Sequence, residues 1–282
     1  MMEALQFDFM RNALIAGLLV SITGGIIGCF VVVNRIVFIT AGVSHAAYGG
    51  IGMGFFLGLN PMLSAIVFSI AAALGMGAVQ RLTRLRSDTV IGMMWAIGLA
   101  TGIIFIDLTP GYNVNLTSYL FGSILAVPTS DLWIMLVLDI IIVALVVLFY
   151  KELLAISFDE TFATVRNVPV NGIYLMLMEI IALMVVMMMQ VVGLILVVAL
   201  LTMPAAISGQ FVRDLKKMMV LASLFSMLFT TAGLWLSYSL NFTSGATIIL
   251  VAAVAYALSL GVNWLRKRAG SDRKRALPGG SS

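Results

Sequence analysis

The fold class is decided by one stretch, residues 173–204, IYLMLMEIIALMVVMMMQVVGLILVVALLTMP. Over these 32 residues Glu179 and Gln190 are the only carboxylate and amide side chains. As a single helix the stretch would be about 48 Å long, against a hydrocarbon core of roughly 30 Å. It is therefore expected to fold back at residues 190–193, where Gln190 and Gly193 interrupt the apolar run, giving spans at 173–189 and 190–204.

Working outward, comparable apolar runs fall at 12–33, 46–59, 62–80, 90–106, 131–150, 218–240 and 246–265, so nine spans are expected in all. Of the 282 residues, 62% are hydrophobic and 10% charged. Counted with Gly in place of Tyr, the apolar class is about 69%, where soluble proteins hold roughly 45 to 50%. Polar surface could not cover such a chain in water, which excludes a soluble enzyme. The expected fold is all-α, a polytopic membrane bundle with residues 1–265 as one transmembrane domain and 266–282 as a basic cytoplasmic tail. The final ALPGGSS has the Gly/Ser look of an appended scar, and the acids ahead of Arg11 do not fit a cleaved signal, so the first span should be retained. The second span is built from small residues (Ala46, Ala47, Gly49, Gly50, Gly52, Gly54, Gly58), which suits close packing inside a bundle.

Nine crossings put the termini on opposite sides. With the C-terminus inside, every one of the 16 basic residues except Arg11 falls on the cytoplasmic side, as the positive-inside rule requires. The outer side then carries Glu3, Asp8, Asp107 and Asp131. Such an entrance would favour cations; the same acids read equally as solvated loop residues.

Asp139 interrupts the fifth span and Glu179 the sixth, each at a cost of about 2.5 to 3.5 kcal/mol. His45, the only histidine, is placed where the first cytoplasmic loop turns into the second helix. Imidazole with carboxylates is a ligand set for Zn²⁺, Mn²⁺ or Fe²⁺. Alternatively His45 caps the helix start and the carboxylates snorkel from span ends. The methionines crowded at 176–189 lack a single-face spacing and read as packing residues, as does the lone Cys29. A G-x-x-x-x-G-K-[ST] phosphate loop is missing, as are H-E-x-x-H and any Cys/His couple, so catalysis is not expected. Two cytoplasmic segments remain: the amphipathic Phe158-Asp159-Glu160-Thr161-Phe162-Ala163, and residues 204–217, where Pro204 is expected to break the helix and Arg213, Lys216 and Lys217 to hold the next piece at the surface. The second could dock a cytoplasmic partner or simply anchor the chain.

Five motifs in register carry a resemblance: Ser44-His45-Ala46-Ala47-x-x-Gly50, Ser87-Asp88-x-x-Ile91-Gly92, Ser118-Tyr119-Leu120-Phe121-Gly122-Ser123-Ile124-Leu125, Phe158-Asp159-x-x-x-Ala163, and Val192-Gly193-x-x-Leu196-Val197-x-Ala199-Leu200-Leu201-x-x-Pro204-Ala205-Ala206. Over residues 10–262 the chain resembles the ABC-3 permeases of zinc, manganese and iron ABC importers. The resemblance implies a type II importer-like fold, a second permease copy, cytoplasmic ABC ATPase subunits that bind the ATP, and an extracytoplasmic metal-binding protein. It implies that residues 204–217, with Pro204, Ala205, Ala206, Arg213, Lys216 and Lys217, couple to the ATPase. Residues 118–125 become a re-entrant piece near the entrance, marked by Asp107, Tyr119 and Phe121. Family members often carry an acid four residues before the histidine; here that place is Ala41, which shifts weight from His45 to Asp139 and Glu179.

The expected function is thus a multi-pass permease subunit in the plasma or inner membrane. It would move Zn²⁺ or Mn²⁺ inward by alternating access, with membrane lipid around it and no cofactor or nucleic acid of its own. Its rivals are a self-sufficient cation channel or secondary metal carrier, and an ABC permease for an iron chelate.

Overall fold

The computed structural model describes residues 6–82, 87–110 and 120–275. Helices account for nearly all of them: α1 Asp8–Val33, α2 Val37–Leu57, α3 Pro61–Leu82, α4 Ser87–Asp107, α5 Thr129–Leu148, α6 Tyr150–Phe158, α7 Glu160–Val165, α8 Val170–Val192, α9 Val197–Phe211, α10 Leu215–Leu240 and α11 Ser244–Arg275, with a single 3₁₀ turn at Ile124–Ala126. Among the described residues there is no strand. Seven helices (α1, α3, α4, α5, α8, α10 and α11) are long and apolar enough to cross a membrane. The other two expected spans are real helices outside that class. The 21-residue α2 is diluted by its glycines, Ser44 and His45, and α9 has only 15 residues.

Helix α8 is the most enclosed of the seven, and its methionines Met178, Met184, Met187 and Met188 are fully buried. Thioethers with three free torsions fill the irregular gaps where α1, α2 and α3 meet it. The fold-back forced by length occurs as expected, with α8 ending at Val192 and α9 starting at Val197. Gly193 turns the chain at φ 82° and is pressed against Gly122 at φ 75°. A Cβ on either would lie 2.2 to 2.3 Å from backbone of the other, so only glycine permits this crossing. The backbone N–H of Ile195 donates to the carbonyl of Leu120 at 3.3 Å, tying the segment that precedes the 3₁₀ turn to the helix break.

Two sequence expectations are corrected. The second span starts at Val37 rather than 46, so His45 lies within α2 and does not cap its start. Polar Thr40, Ser44 and His45 look like a loop in sequence. Each instead satisfies itself on the helix, Thr40 Oγ1 donating to the Val37 carbonyl at 2.6 Å, and Ser44 Oγ and His45 Nδ1 both bonding the Ala41 carbonyl at 2.8 Å. Nor does Pro204 break its helix: it lies inside α9, which runs on to Phe211. Packing of α9 against α1, α10 and α11 outweighs one missing backbone donor, and Ser208 Oγ bonds the Pro204 carbonyl at 2.8 Å. The chain leaves the helix only at extended Val212. Of the expected tail, residues 266–275 continue α11, while the terminal seven residues lie outside the described part.

Small residues set the depth at which α2 beds against α4. A Cβ on Gly52 would come within 2.3 Å of the Gly102 carbonyl oxygen, and one on Gly98 within 2.4 Å of the Ala46 Cα. Such backbone-to-backbone contact is how helices associate where lipid supplies no hydrophobic driving force. It seats the middle of α2, and with it His45, inside the bundle.

Candidate functional site

His45 is 9% exposed, and its ring lies 3.9 Å, centroid to centroid, from that of Trp95 on α4. The Ala41 carbonyl can only accept, so Nδ1 carries the proton of the neutral ring and Nε2 keeps its lone pair. Among the described residues nothing hydrogen-bonds Nε2. A histidine whose other ring nitrogen is anchored on a backbone carbonyl is oriented as metal-ligating histidines are. The residue four before it, Ala41, contributes its carbonyl rather than a carboxylate.

Asp139 is 5% exposed in the middle of α5, too deep for its carboxylate to snorkel from a span end. Its Oδ1 accepts from Thr23 Oγ1 of α1 at 2.8 Å, and Oδ2 is buried with no hydrogen-bond partner. Burying that oxygen uncompensated costs about 1 to 3 kcal/mol. Glu179 lies half-buried midway along α8, which packs against both α2 and α5. The three residues do not converge: among the described residues no group of three His, Cys, Asp or Glu side chains comes together.

A further polar position becomes apparent in three dimensions. Asp131, 9% exposed, shares the buried stripe of α5 with Asp139, eight residues or about 12 Å further along the axis. With Asn60, Ser130 and Gln190 it lines a cavity of about 390 Å³ at the end of the bundle where α3 and α5 begin and α8 ends. The i, i+8 spacing was legible in sequence, but the residues facing Asp131 come from other helices. Of the expected entrance residues, Asp107 ends α4 and is exposed, Phe121 is exposed beside the Gly122–Gly193 crossing, and Tyr119 lies outside the described residues.

At the opposite end, Pro204 and Ala205 are buried and Ala206 half-buried, whereas Arg213, Lys216 and Lys217 are exposed at the turn into α10. Asp214 caps that helix by accepting from the Lys217 backbone N–H at 3.0 Å. Burial, and secondarily the Asp214 carboxylate, push the Tyr150 phenol above its usual range. The α6–α7 segment is amphipathic as expected: Leu153 and Ala163 are fully buried, while Phe158, Phe162 and Val165 are exposed. Arg81 of α3 holds it with a two-pronged ion pair to Glu160, at 2.8 and 3.0 Å, while stacking 4.1 Å above the Tyr174 ring of α8.

A helical bundle with seven helices long and apolar enough to cross a membrane, and polar groups buried among them, is the architecture of a multi-pass membrane protein. The chain belongs to the ABC 3 transport family, whose profile matches residues 6–263. It is 58% identical over 260 residues to the uncharacterized membrane protein slr2045 of Synechocystis sp., covering 92% of each chain. It is 38% identical to the manganese transport system membrane protein MntC of Listeria monocytogenes over 252 residues, covering 89% of this chain and 90% of that one. Among solved structures it superposes on PsaBC from Streptococcus pneumoniae, in complex with Fab, with a TM-score of 0.83 at 37% identity, over 92% and 93% of the two chains.

Proposed function

We propose that this chain is the transmembrane permease subunit of an ATP-driven importer that carries a divalent transition metal, manganese, into the cell. The observation that carries this reading is the similarity to a manganese transport membrane protein, at 38% identity over 89% of this chain and 90% of that one. Nine crossings with the N-terminus outside place the cavity around Asp131 at the outer face and the α6–α7 segment in the cytoplasm. Asp131, Asp139 and Glu179 offer oxygen ligands, which suit manganese, and His45 offers Nε2. Since no three His, Cys, Asp or Glu side chains meet among the described residues, the pathway is shared with a second permease copy and loaded from outside by a metal-binding protein.

The residues 204–217 retain a coupling role, but in divided form. Buried Pro204 and Ala205, with Ala206, transmit motion through α9, and exposed Arg213, Lys216 and Lys217 offer charge to the ATPase. The exposed aromatics Phe158, at the end of α6, and Phe162, on α7, form the better-shaped knob, since apolar side chains on a tethered segment fit a groove in a soluble subunit. Only differential binding of the ATPase to inward- and outward-open states can drive the cycle.

The test is uptake of radioactive manganese into proteoliposomes. Flux is expected only when permease, ATPase, metal-loaded binding protein and ATP are all present. Flux through the permease alone would establish a channel or secondary carrier instead.

A further inference from the structure

Apart from Lys216 at its rim, a groove between α1, α5 and α10 is not used by the transport reading. It encloses about 850 Å³ and is walled by aliphatic side chains, among them Ile26 of α1, Val143 and Val147 of α5, and Val220 and Leu224 of α10. One end of it is polar instead, formed by Tyr150, Lys151, Glu152 and Lys216. That end lies where α5 gives way to α6 and where α10 begins, the level at which both apolar spans stop. Lys216 Nζ stands 4.8 Å from the Tyr150 ring centroid, a cation–π contact that holds the ammonium at the rim. Among the described residues neither Lys151 nor Lys216 is in an ion pair. Counting Asp214 beside Tyr150 and Lys217 in the adjoining depression, three cations face two carboxylates there.

We propose that this groove binds an anionic phospholipid of the adjacent leaflet. One acyl chain lies along the aliphatic wall, where each buried methylene is favourable, and the phosphate is held between Lys151 and Lys216. The lysine stems reach up from the apolar wall to the headgroup level, as long cationic side chains do at such boundaries. A second copy of the chain is a poorer occupant. A two-fold axis normal to the membrane would bring the same cationic rim of both copies to the same depth, where like charges repel.

Native mass spectrometry of the full-length protein released from nanodiscs of phosphatidylglycerol or phosphatidylcholine tests this, with thermal unfolding measured in parallel. The wild type is expected to retain phosphatidylglycerol and to be stabilised by it. The double variant Lys151→Gln/Lys216→Gln is expected to bind it about thirtyfold more weakly, roughly fivefold for each cation removed from an anionic surface. Leu224→Trp fills the groove without touching the lysines and is expected to lose the lipid too, so the proposal stays testable should the double variant not fold. Equal retention of both lipids, or unchanged retention in the double variant, overturns it. So does a stabilisation reproduced by glycerol phosphate, which lacks acyl chains, or a disulfide formed between two Val147→Cys copies, which would seat a second protein in the groove.

Discussion

The crossing of α2 and α4 gives a sharp test of how the candidate site is positioned. Replacing Gly52 by Ala puts a methyl group 2.3 Å from the Gly102 carbonyl oxygen and 2.8 Å from its Cα, both backbone atoms that cannot swing aside. Restoring ordinary contact requires the two helices to separate by about an ångström, which overpacked cores accept at a cost of about 1 to 3 kcal/mol. Gly75 of α3 is the control, because a Cβ there meets nothing within 4 Å. Alanine at that site gains helix propensity and removes unfolded-state freedom, for about 0.4 to 1 kcal/mol in the stabilising direction. Unfolding followed by intrinsic fluorescence should show Gly52→Ala melting roughly 3 to 10 °C lower, and Gly75→Ala unchanged or slightly higher. Because His45 sits two turns earlier on the same helix, Gly52→Ala should also depress manganese uptake more than its loss of folded protein explains. If the two alanine variants melt together, the close approach of α2 and α4 does not exist and the placement of His45 falls with it.

Three further outcomes follow from the site and its surroundings. Asp139→Asn keeps an acceptor for Thr23 while removing the buried charge. It should leave the melting temperature unchanged or raised and cut uptake by an order of magnitude, whereas wild-type uptake would remove Asp139 from the pathway. His45→Ala should abolish uptake without loss of ATPase association, and Ser44→Ala, which removes the hydroxyl from the Ala41 carbonyl and from beside His45 Nδ1 but leaves the imidazole, should cost no more than about tenfold, both read by the same liposome assay. Arg81→Lys and Glu160→Gln should each loosen α7 and lower copurification of the ATPase, because one ammonium cannot both fork onto a carboxylate and stack on Tyr174; unchanged copurification would assign docking elsewhere.

A run too long for one crossing had to turn, and the turn sits at Gly193 because two backbones meet there. Local polarity was a poorer guide than length. Thr40, Ser44 and His45 looked like a loop, and Pro204 like a helix end, because a sequence does not show that a side chain will bond its own helix or that neighbours will hold a helix together across a proline.

The sequence by itself determined that the chain lives in a bilayer, that its spans are helices, and that any carboxylate placed among them carries a cost needing a reason. These follow from composition and from the hydrocarbon thickness, which act on every residue regardless of its neighbours. Only the tertiary structure decided that Thr23 meets Asp139 across 116 positions, that Trp95 covers His45, and that Arg81 tethers Glu160. It also decided that no three His, Cys, Asp or Glu side chains come together among the described residues. Such pairings depend on how helices rotate and how closely they approach, and that is fixed by the small residues between them rather than by the polar residues themselves.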